Sequence, residues 1–387
     1  MKSLQIAFAL LFTFTGLFAQ RNVPRIISPE ILEDNSVIFR LLAPEASNVK
    51  LRGTMFSDFS GKEMIKNEKG VFEIKIDPLE SDIYVYTFSV DGVTTLDPSN
   101  NIVVRDGSHI ESRLMIPGEK VDLYDVKDVP HGRLSAVWYK DKVLGMTRRC
   151  MIYTPPGYDN SNEKYPVLYL LHGAGGDEEA WISRGRANYI LDNLIALGKA
   201  EPMIVVIFNG NVLATSAPGE TPLALRIEQN NATMATPGAM VGEKVPASIV
   251  EVLVPFVEAN FRVKANRENR ALAGLSMGGY QTQKTTNLYP DMFNYIGVMS
   301  MGHYGQFGNY NKEEHVAQLK ALEKADPALY WIGCGKTDFL YQSVLELLKL
   351  YDEIGFSHIY RESEGGHSWN NWRLYLSEFA PMLFKEK

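Results

Sequence analysis

Between Arg270 and Gly279 the chain reads Arg-Ala-Leu-Ala-Gly-Leu-Ser-Met-Gly-Gly, an apolar run that closes on Gly274-Leu275-Ser276-Met277-Gly278. The run predicts a short buried strand and Tyr280–Tyr289 predicts a helix, so the glycines and the serine occupy the turn between them. A serine at such a turn sits on strained backbone, and a Cβ at Gly274 or Gly278 would collide with the adjacent strand and helix. In return its hydroxyl is exposed at a helix N-terminus, where backbone N–H groups stabilise developing negative charge. The strand-turn-helix context makes Ser276 a candidate nucleophile, with the N–H of Met277 beside it as a candidate oxyanion donor.

Other apolar runs of strand length surround this one: Arg149–Thr154, Val167–Leu171, Met203–Phe208, Tyr295–Ser300 and Leu329–Gly333, with Ser357–Arg361 as the last. Helix-length patterns lie between them, for example Ala247–Phe261, which carries Val250, Val254, Val257 and Phe261 on one face. Apolar strands alternating with helices predict an α/β fold with a mostly parallel sheet covered on both sides. Sites in such sheets lie at the carboxyl ends of the strands, and Ser276 follows its strand directly.

The N-terminal part reads differently. Residues 1–19 join Lys2 to an apolar stretch that ends at Ala19, the pattern of a cleavable signal peptide, and imply an exported protein, secreted or periplasmic. From about Pro29 to Pro117 the signal is all β, in short runs such as Ser36–Leu42, Val49–Arg52, Val71–Ile76 and Ile83–Val90, with Asp91-Gly92 as a two-residue hairpin turn. A small antiparallel sandwich over residues 20–120 is expected, followed by the catalytic part over 121–387, with the polar connector Pro117–Gly132 between them. With 45% apolar and 11% aromatic residues the chain can fill two cores. A formal charge of −7 gives no footprint for nucleic acid. Two cysteines, Cys150 and Cys334, both in strand-like runs, predict buried thiols and no disulfide scaffold. No segment after residue 19 is apolar enough for a membrane span.

Two further strand ends carry usable polar groups. Leu170-Leu-His-Gly-Ala-Gly-Gly-Asp177 is a glycine-rich turn in which the N–H of Ala174 can join that of Met277 in holding an oxyanion, with Gly173 as a candidate substrate contact and His172 in a structural role. Asp338 follows the strand ending at Gly333, and His367 lies in Glu364-Gly-Gly-His-Ser-Trp369 after the last strand. Of seven histidines, His109 and His131 precede the sheet, His303 and His315 lie in the wrong segment, and His358 is within a strand. Asp326, Asp352, Glu362 and Glu364 compete with Asp338, but only Asp338 directly follows a core strand. Ser276 would attack, His367 would move the proton and Asp338 would fix the imidazole. Neither an H-E-x-x-H motif nor a cysteine cluster is present, so no metal is expected. No G-x-G-x-x-G or P-loop appears, so no cofactor is expected either.

Together Val129-Pro-His-Gly132, Tyr153-Thr-Pro-Pro-Gly-Tyr158, Tyr165–Gly173, Ile190-Leu-Asp-Asn-Leu-Ile195, Gly274–Gly279 and Gly366-His-Ser-Trp369 resemble the esterase D-like branch of α/β-hydrolases. Bacterial feruloyl esterases of carbohydrate esterase family 1 are the nearest likeness. Phe39–Leu51, Tyr84–Phe88 and Asp97–Asn100 resemble early-set immunoglobulin-like domains related to glycogen-binding modules, which hold glycan or brace a catalytic domain. This sandwich has no Trp, and only Phe56 and Phe59 offer loop platforms, so bracing is expected. The resemblance implies a secreted serine esterase acting on feruloyl or related hydroxycinnamoyl esters of plant cell-wall polysaccharide. An acetyl xylan esterase or siderophore esterase would use the same constellation, and a non-catalytic glycan-binding protein is the remote alternative. Trp181, Trp369, Met277 and the variable segment Val212–Lys244 are expected around an acyl pocket. Asn231-Ala-Thr233 matches a glycosylation sequon by chance.

Overall fold

The computed structural model describes residues 26–56, 58, 60–221, 242–303 and 310–385. The expected signal peptide, Phe59 and the sequon at Asn231 lie outside these residues, as does most of the variable Val212–Lys244 segment.

The N-terminal strands are β1 (Glu30–Ile31), β2 (Val37–Leu42), β3 (Val49–Gly53), β4 (Lys62–Glu63), β5 (Ile65–Lys66), β6 (Val71–Ile76), β7 (Asp82–Val90), β8 (Val93–Thr95), β9 (Val103–Asp106) and β10 (His109–Ile116). They form two antiparallel sheets, one in the order β1-β2-β6-β5 and one in the order β4-β3-β7-β10-β9, with β8 paired to β7. Alternation along β2 turns Val37, Phe39 and Leu41 inward, where they meet Val49, Leu51, Phe72, Tyr86, Phe88, Leu114 and Ile116. Between β7 and β8, Asp91 has φ 47° and Gly92 φ 89°, as a tight hairpin with positive φ at both positions requires. Phe56 is half-buried against this core rather than standing clear of its loop.

The remaining strands build one eight-stranded sheet from β11 (Arg133–Asp141), β12 (Met146–Thr154), β13 (Val167–Leu171), β14 (Ile204–Phe208), β15 (Arg270–Leu275), β16 (Tyr295–Met299), β17 (Leu329–Gly335) and β18 (Ile359–Ser363). Their order is β11-β12-β14-β13-β15-β16-β17-β18. The pairs β11/β12 and β12/β14 are antiparallel and the rest parallel, so the sheet is α/β and mostly parallel as expected. Apolar cores fill both faces, which is why the central strands read as uninterrupted apolar runs. Sequence reasoning missed β11 as a strand because Trp138, Lys140 and their polar neighbours leave this edge partly exposed. The helix expected over Ala247–Phe261 forms as Val245–Asn260 with a π turn at Ile249–Leu253; Pro255 lacks the N–H that an unbroken α ladder needs. Cys150 and Cys334 are both buried free thiols.

Pro117–Gly132 is not a free connector. It opens with the one-turn helix Glu119–Asp122, and its Tyr124 hydroxyl donates to Asp82 Oδ1 at 2.6 Å. At the start of β7, Asp82 also accepts from Asn370 Nδ2 at 2.7 Å and pairs with the buried Arg373 at 2.8 Å. One buried carboxylate thus joins the sandwich, the connector and the last long helix, Trp369–Phe379. Asp82→Ala strands the Arg373 charge in the interior and is expected to cost about 3–5 kcal/mol, read as a lowered thermal midpoint. Adding Arg373→Met should recover part of that loss, because the unpaired charge goes with it. An unchanged midpoint in Asp82→Ala would show that this contact does not bind the two halves.

Candidate active site

β15 ends at Leu275, and the helix Met277–Leu288 begins two residues later. Ser276, between them, has φ 51° and ψ −116°, a conformation that side-chain-bearing residues avoid. Close backbone approach imposes it. A Cβ on Gly274 would lie 2.4 Å from the Gly278 carbonyl carbon, and one on Gly278 would lie 2.6 Å from His172 O and 2.7 Å from Leu171 Cβ. The strand, the helix and β13 therefore converge at two positions where only glycine fits. Although little of it is apolar, the helix is deeply buried: Thr282, Thr285 and Thr286 return their hydroxyls to Gly278, Gln281 and Thr282 carbonyls at 2.7–3.0 Å, so these three hydroxyls are satisfied within the helix. As the first residue of the helix, Met277 has no intrahelical acceptor for its N–H.

The turn after β13 lies against Ser276. A Cβ on Gly173 would sit 3.3 Å from Ser276 Cβ, Gly175 has φ 81°, and Ala174 is exposed. His172 is fully buried beneath it. The Gly210 N–H donates to His172 Nε2 at 2.9 Å, which leaves the ring proton on Nδ1 for Gly173 O at 2.7 Å. One nitrogen thus holds the turn and the other the segment that follows β14.

In-register pairing brings the other candidates together. Leu275, Met299 and Gly333 are lateral partners across β15, β16 and β17, and Gly335 pairs with Ser363 of β18. Asp338 and His367 follow just beyond these ends. His367 Nδ1 is 3.0 Å from each Asp338 carboxylate oxygen, and the Leu340 N–H donates to Asp338 at 2.9 Å. Burial pushes the Asp338 carboxyl up, but hydrogen bonds from His367, Leu340 N–H and the Ser300 hydroxyl outweigh it and hold the group below the usual carboxylate range. Of the competing acids, Glu364 is turned to solvent on Lys336 at 2.6 Å.

The "Putative esterase" family profile matches residues 142–383. The chain belongs to this esterase family. Over 371 residues it is 30% identical to an endo-1,4-beta-xylanase/feruloyl esterase of Xylanibacter ruminicola, a match that takes in 94% of the chain but only 47% of that longer protein. It is 24% identical to an acetyl esterase of Caldicellulosiruptor saccharolyticus, over 59% of the chain and 86% of that enzyme. Among solved structures, the enterobactin esterase of Shigella flexneri with enterobactin superposes with TM-score 0.64 at 18% identity, covering 89% of this chain and 92% of that one. A ferulic acid esterase from Anaeromyces mucronatus in complex with ferulic acid superposes with TM-score 0.54 at 24% identity, covering 68% of this chain and 95% of that one. These structures share the fold, and family membership makes the matched region an esterase domain. Among the described residues no helix is long and apolar enough to cross a membrane.

In this esterase the two tryptophans expected to line an acyl pocket are largely enclosed. Trp181 is 0% exposed, with its N–H on Leu171 O at 2.9 Å, and belongs to the core. Trp369 is 8% exposed, packed edge-on between Trp181 and Trp372 at 5.2 Å from each. The exposed aromatic beside His367 is Phe339, 75% exposed with ring centroids 4.4 Å apart. It directly follows Asp338, a proximity that could have flagged it in the sequence. Sequence reasoning also missed Ser300, which directly follows β16 with φ 49°, accepts from Trp372 Nε1 at 3.0 Å and donates to Asp338. Ser300→Ala leaves the buried indole N–H unpaired and should cost about 1–3 kcal/mol in urea unfolding. The sign of the pH effect follows from the depressed Asp338 pKa: its stabilisation is present above the ordinary carboxyl range and is lost as pH falls through the folded value. Removing a donor raises that folded value, so stability measured against pH should fail at higher pH in Ser300→Ala than in the wild type.

Proposed function

We propose that this esterase is a secreted serine hydrolase that releases feruloyl or related hydroxycinnamoyl groups from plant cell-wall polysaccharide, with residues 1–19 as signal, 20–120 as sandwich and 121–387 as catalytic domain. The observation that carries the mechanism is the Asp338–His367 pair, 3.0 Å from both carboxylate oxygens, at strand ends neighbouring a serine held at φ 51° on a helix N-terminus. In this reading Ser276 Oγ bonds to the ester carbonyl carbon while its proton passes to His367 Nε2, the nitrogen turned from Asp338. The carbonyl oxygen becomes an oxyanion held by the N–H groups of Ala174 and Met277. Collapse breaks the bond to the alcohol, which leaves with the proton from His367. Water then gives His367 a proton, attacks the acyl-serine and frees the acid and Ser276. Asp338 keeps the imidazole proton on Nδ1 and stabilises the imidazolium.

The feruloyl assignment draws on two supports: the Xylanibacter ruminicola relative, named a feruloyl esterase, and Phe339, an exposed ring beside the base on which an aryl group can stack. Acetyl xylan and a siderophore trilactone are the competing substrates, suggested by the acetyl esterase relative and the enterobactin esterase fold.

Ser276→Ala and His367→Ala should each lower kcat by about 10⁴-fold or more, and the double variant should be no worse than either, because the residues act as one unit. Asp338→Asn should fall comparably, whereas Glu364→Gln should match the wild type; the reverse pattern moves the acid role to Glu364. On a panel of methyl ferulate, methyl acetate and a cyclic catecholate trilactone, burial of the aryl ring should favour ferulate over acetate by about 10²-fold or more in kcat/KM. Phe339→Ala should erode that preference. Better cleavage of the acetate, or of the trilactone alone, hands the function to the corresponding alternative.

A further inference from the structure

The tip of the β9–β10 hairpin belongs to the sandwich, yet it lies on the glycine turn that follows β13. A Cβ on Gly107, whose φ is 58°, would stand 1.8 Å from Gly175 O and 3.0 Å from that carbonyl carbon, so the two backbones meet with no side chain between them. A Cβ on Gly176 would stand 2.8 Å from Asp106 Oδ1 and 3.0 Å from His172 Nδ1. Through its other oxygen, Asp106 accepts from Trp369 Nε1 at 2.8 Å, two residues after His367. Arg105 completes the contact. Its guanidinium donates to Gly107 O at 2.8 Å, Asp177 Oδ1 at 3.1 Å and Glu179 Oε2 at 2.6 Å, and its backbone N–H donates to Ser183 Oγ at 2.8 Å. A single cation therefore ties the hairpin tip to the segment that leaves the turn.

A turn with this many glycines has little conformational preference of its own, and an oxyanion donor contributes only when it is held in place before charge develops. The sandwich supplies what the turn lacks. We infer that the hairpin tip Arg105–Gly107 is a positioning element of the ester-cleaving site, holding the Gly173–Gly176 turn and the Trp369 ring in their working geometry. This rests on the proposed use of the Ala174 N–H at that site. Its consequence is that a domain whose fold suggests glycan holding or passive support sets kcat even for esters too small to reach it.

The test uses the full chain and p-nitrophenyl acetate, which engages only the reacting centre. Gly107→Ala, which must push the hairpin off Gly175, and Asp106→Ala should each lower kcat by about 10- to 100-fold with KM nearly unchanged, because a shift on the order of 1 Å in a catalytic group costs that much. Asp106→Asn keeps an acceptor for the Trp369 indole and should return most of the loss, a rescue that a merely folded-or-unfolded effect would not produce. Phe72→Leu, in the sandwich core on the other sheet, should lower the thermal midpoint and leave kcat alone. Wild-type kcat in both Gly107→Ala and Asp106→Ala, with loss confined to polysaccharide, overturns the inference and makes the sandwich a glycan holder. If Gly107→Ala does not fold, the Asp106 pair decides. A wild type that cleaves no ester, or a Ser276→Ala variant that keeps full activity, sinks the underlying reading instead, and the inference with it.

Discussion

Everything at this site depends on how closely three backbones approach around Ser276. β15, the helix behind it and the end of β13 come within the radius of a methyl group at Gly274 and Gly278, and that crowding fixes the serine at φ 51°. A strained residue of this kind persists only when its surroundings overdetermine it. Here the surroundings are the central strands of a sheet covered on both faces, whose apolar cores leave the turn no room to relax.

Around that rigid point the protein places a layer of buried ions. Glu178 is fully buried, pairs with Arg149 Nε at 2.7 Å, and accepts from Asn209 Nδ2 at 3.0 Å and from the Ala217 N–H at 2.8 Å. Asn209 in turn sits 3.3 Å from His172, beneath the glycine turn. Asp177 and Glu179 flank this residue and face Arg105 of the sandwich. Buried charges of this sort contribute little net stability, but every lone pair that finds a donor narrows the geometries the loops can adopt. The Asp177-Glu178-Glu179 run thereby converts a flexible turn into a fixed one, and it does so with cations from both parts of the chain.

Two of the contacts that couple the sandwich and the sheet differ in character. At Asp82 and Arg373 the coupling is a buried clasp that concerns stability. At the β9–β10 tip it is a contact beside the site itself. The connector follows this division, with Tyr124 sealed under the clasp rather than left as a hinge.

Local pattern determined a good deal by itself. The apolar strands, the two-sheet N-terminal region, the Asp91-Gly92 turn and the glycines flanking Ser276 were legible, because each is a short-range consequence of side-chain periodicity or of a φ that only certain residues adopt. Asp338 and His367 could be picked out because they follow strands whose order the alternation implies. What the sequence could not reveal was which side chains meet across long separations. Trp181 and Trp369 read as pocket walls, yet one is core and the other is held by Asp106, 263 residues earlier in the chain. Ser300 looked like the end of a strand and proved to be a link between Trp372 and Asp338. Phe339 drew no notice in the sequence and stands exposed against the His367 imidazole. Each of these outcomes depends on the docking of separate elements, which is set by packing and ion pairing over the whole fold and leaves no periodic trace in the residues themselves.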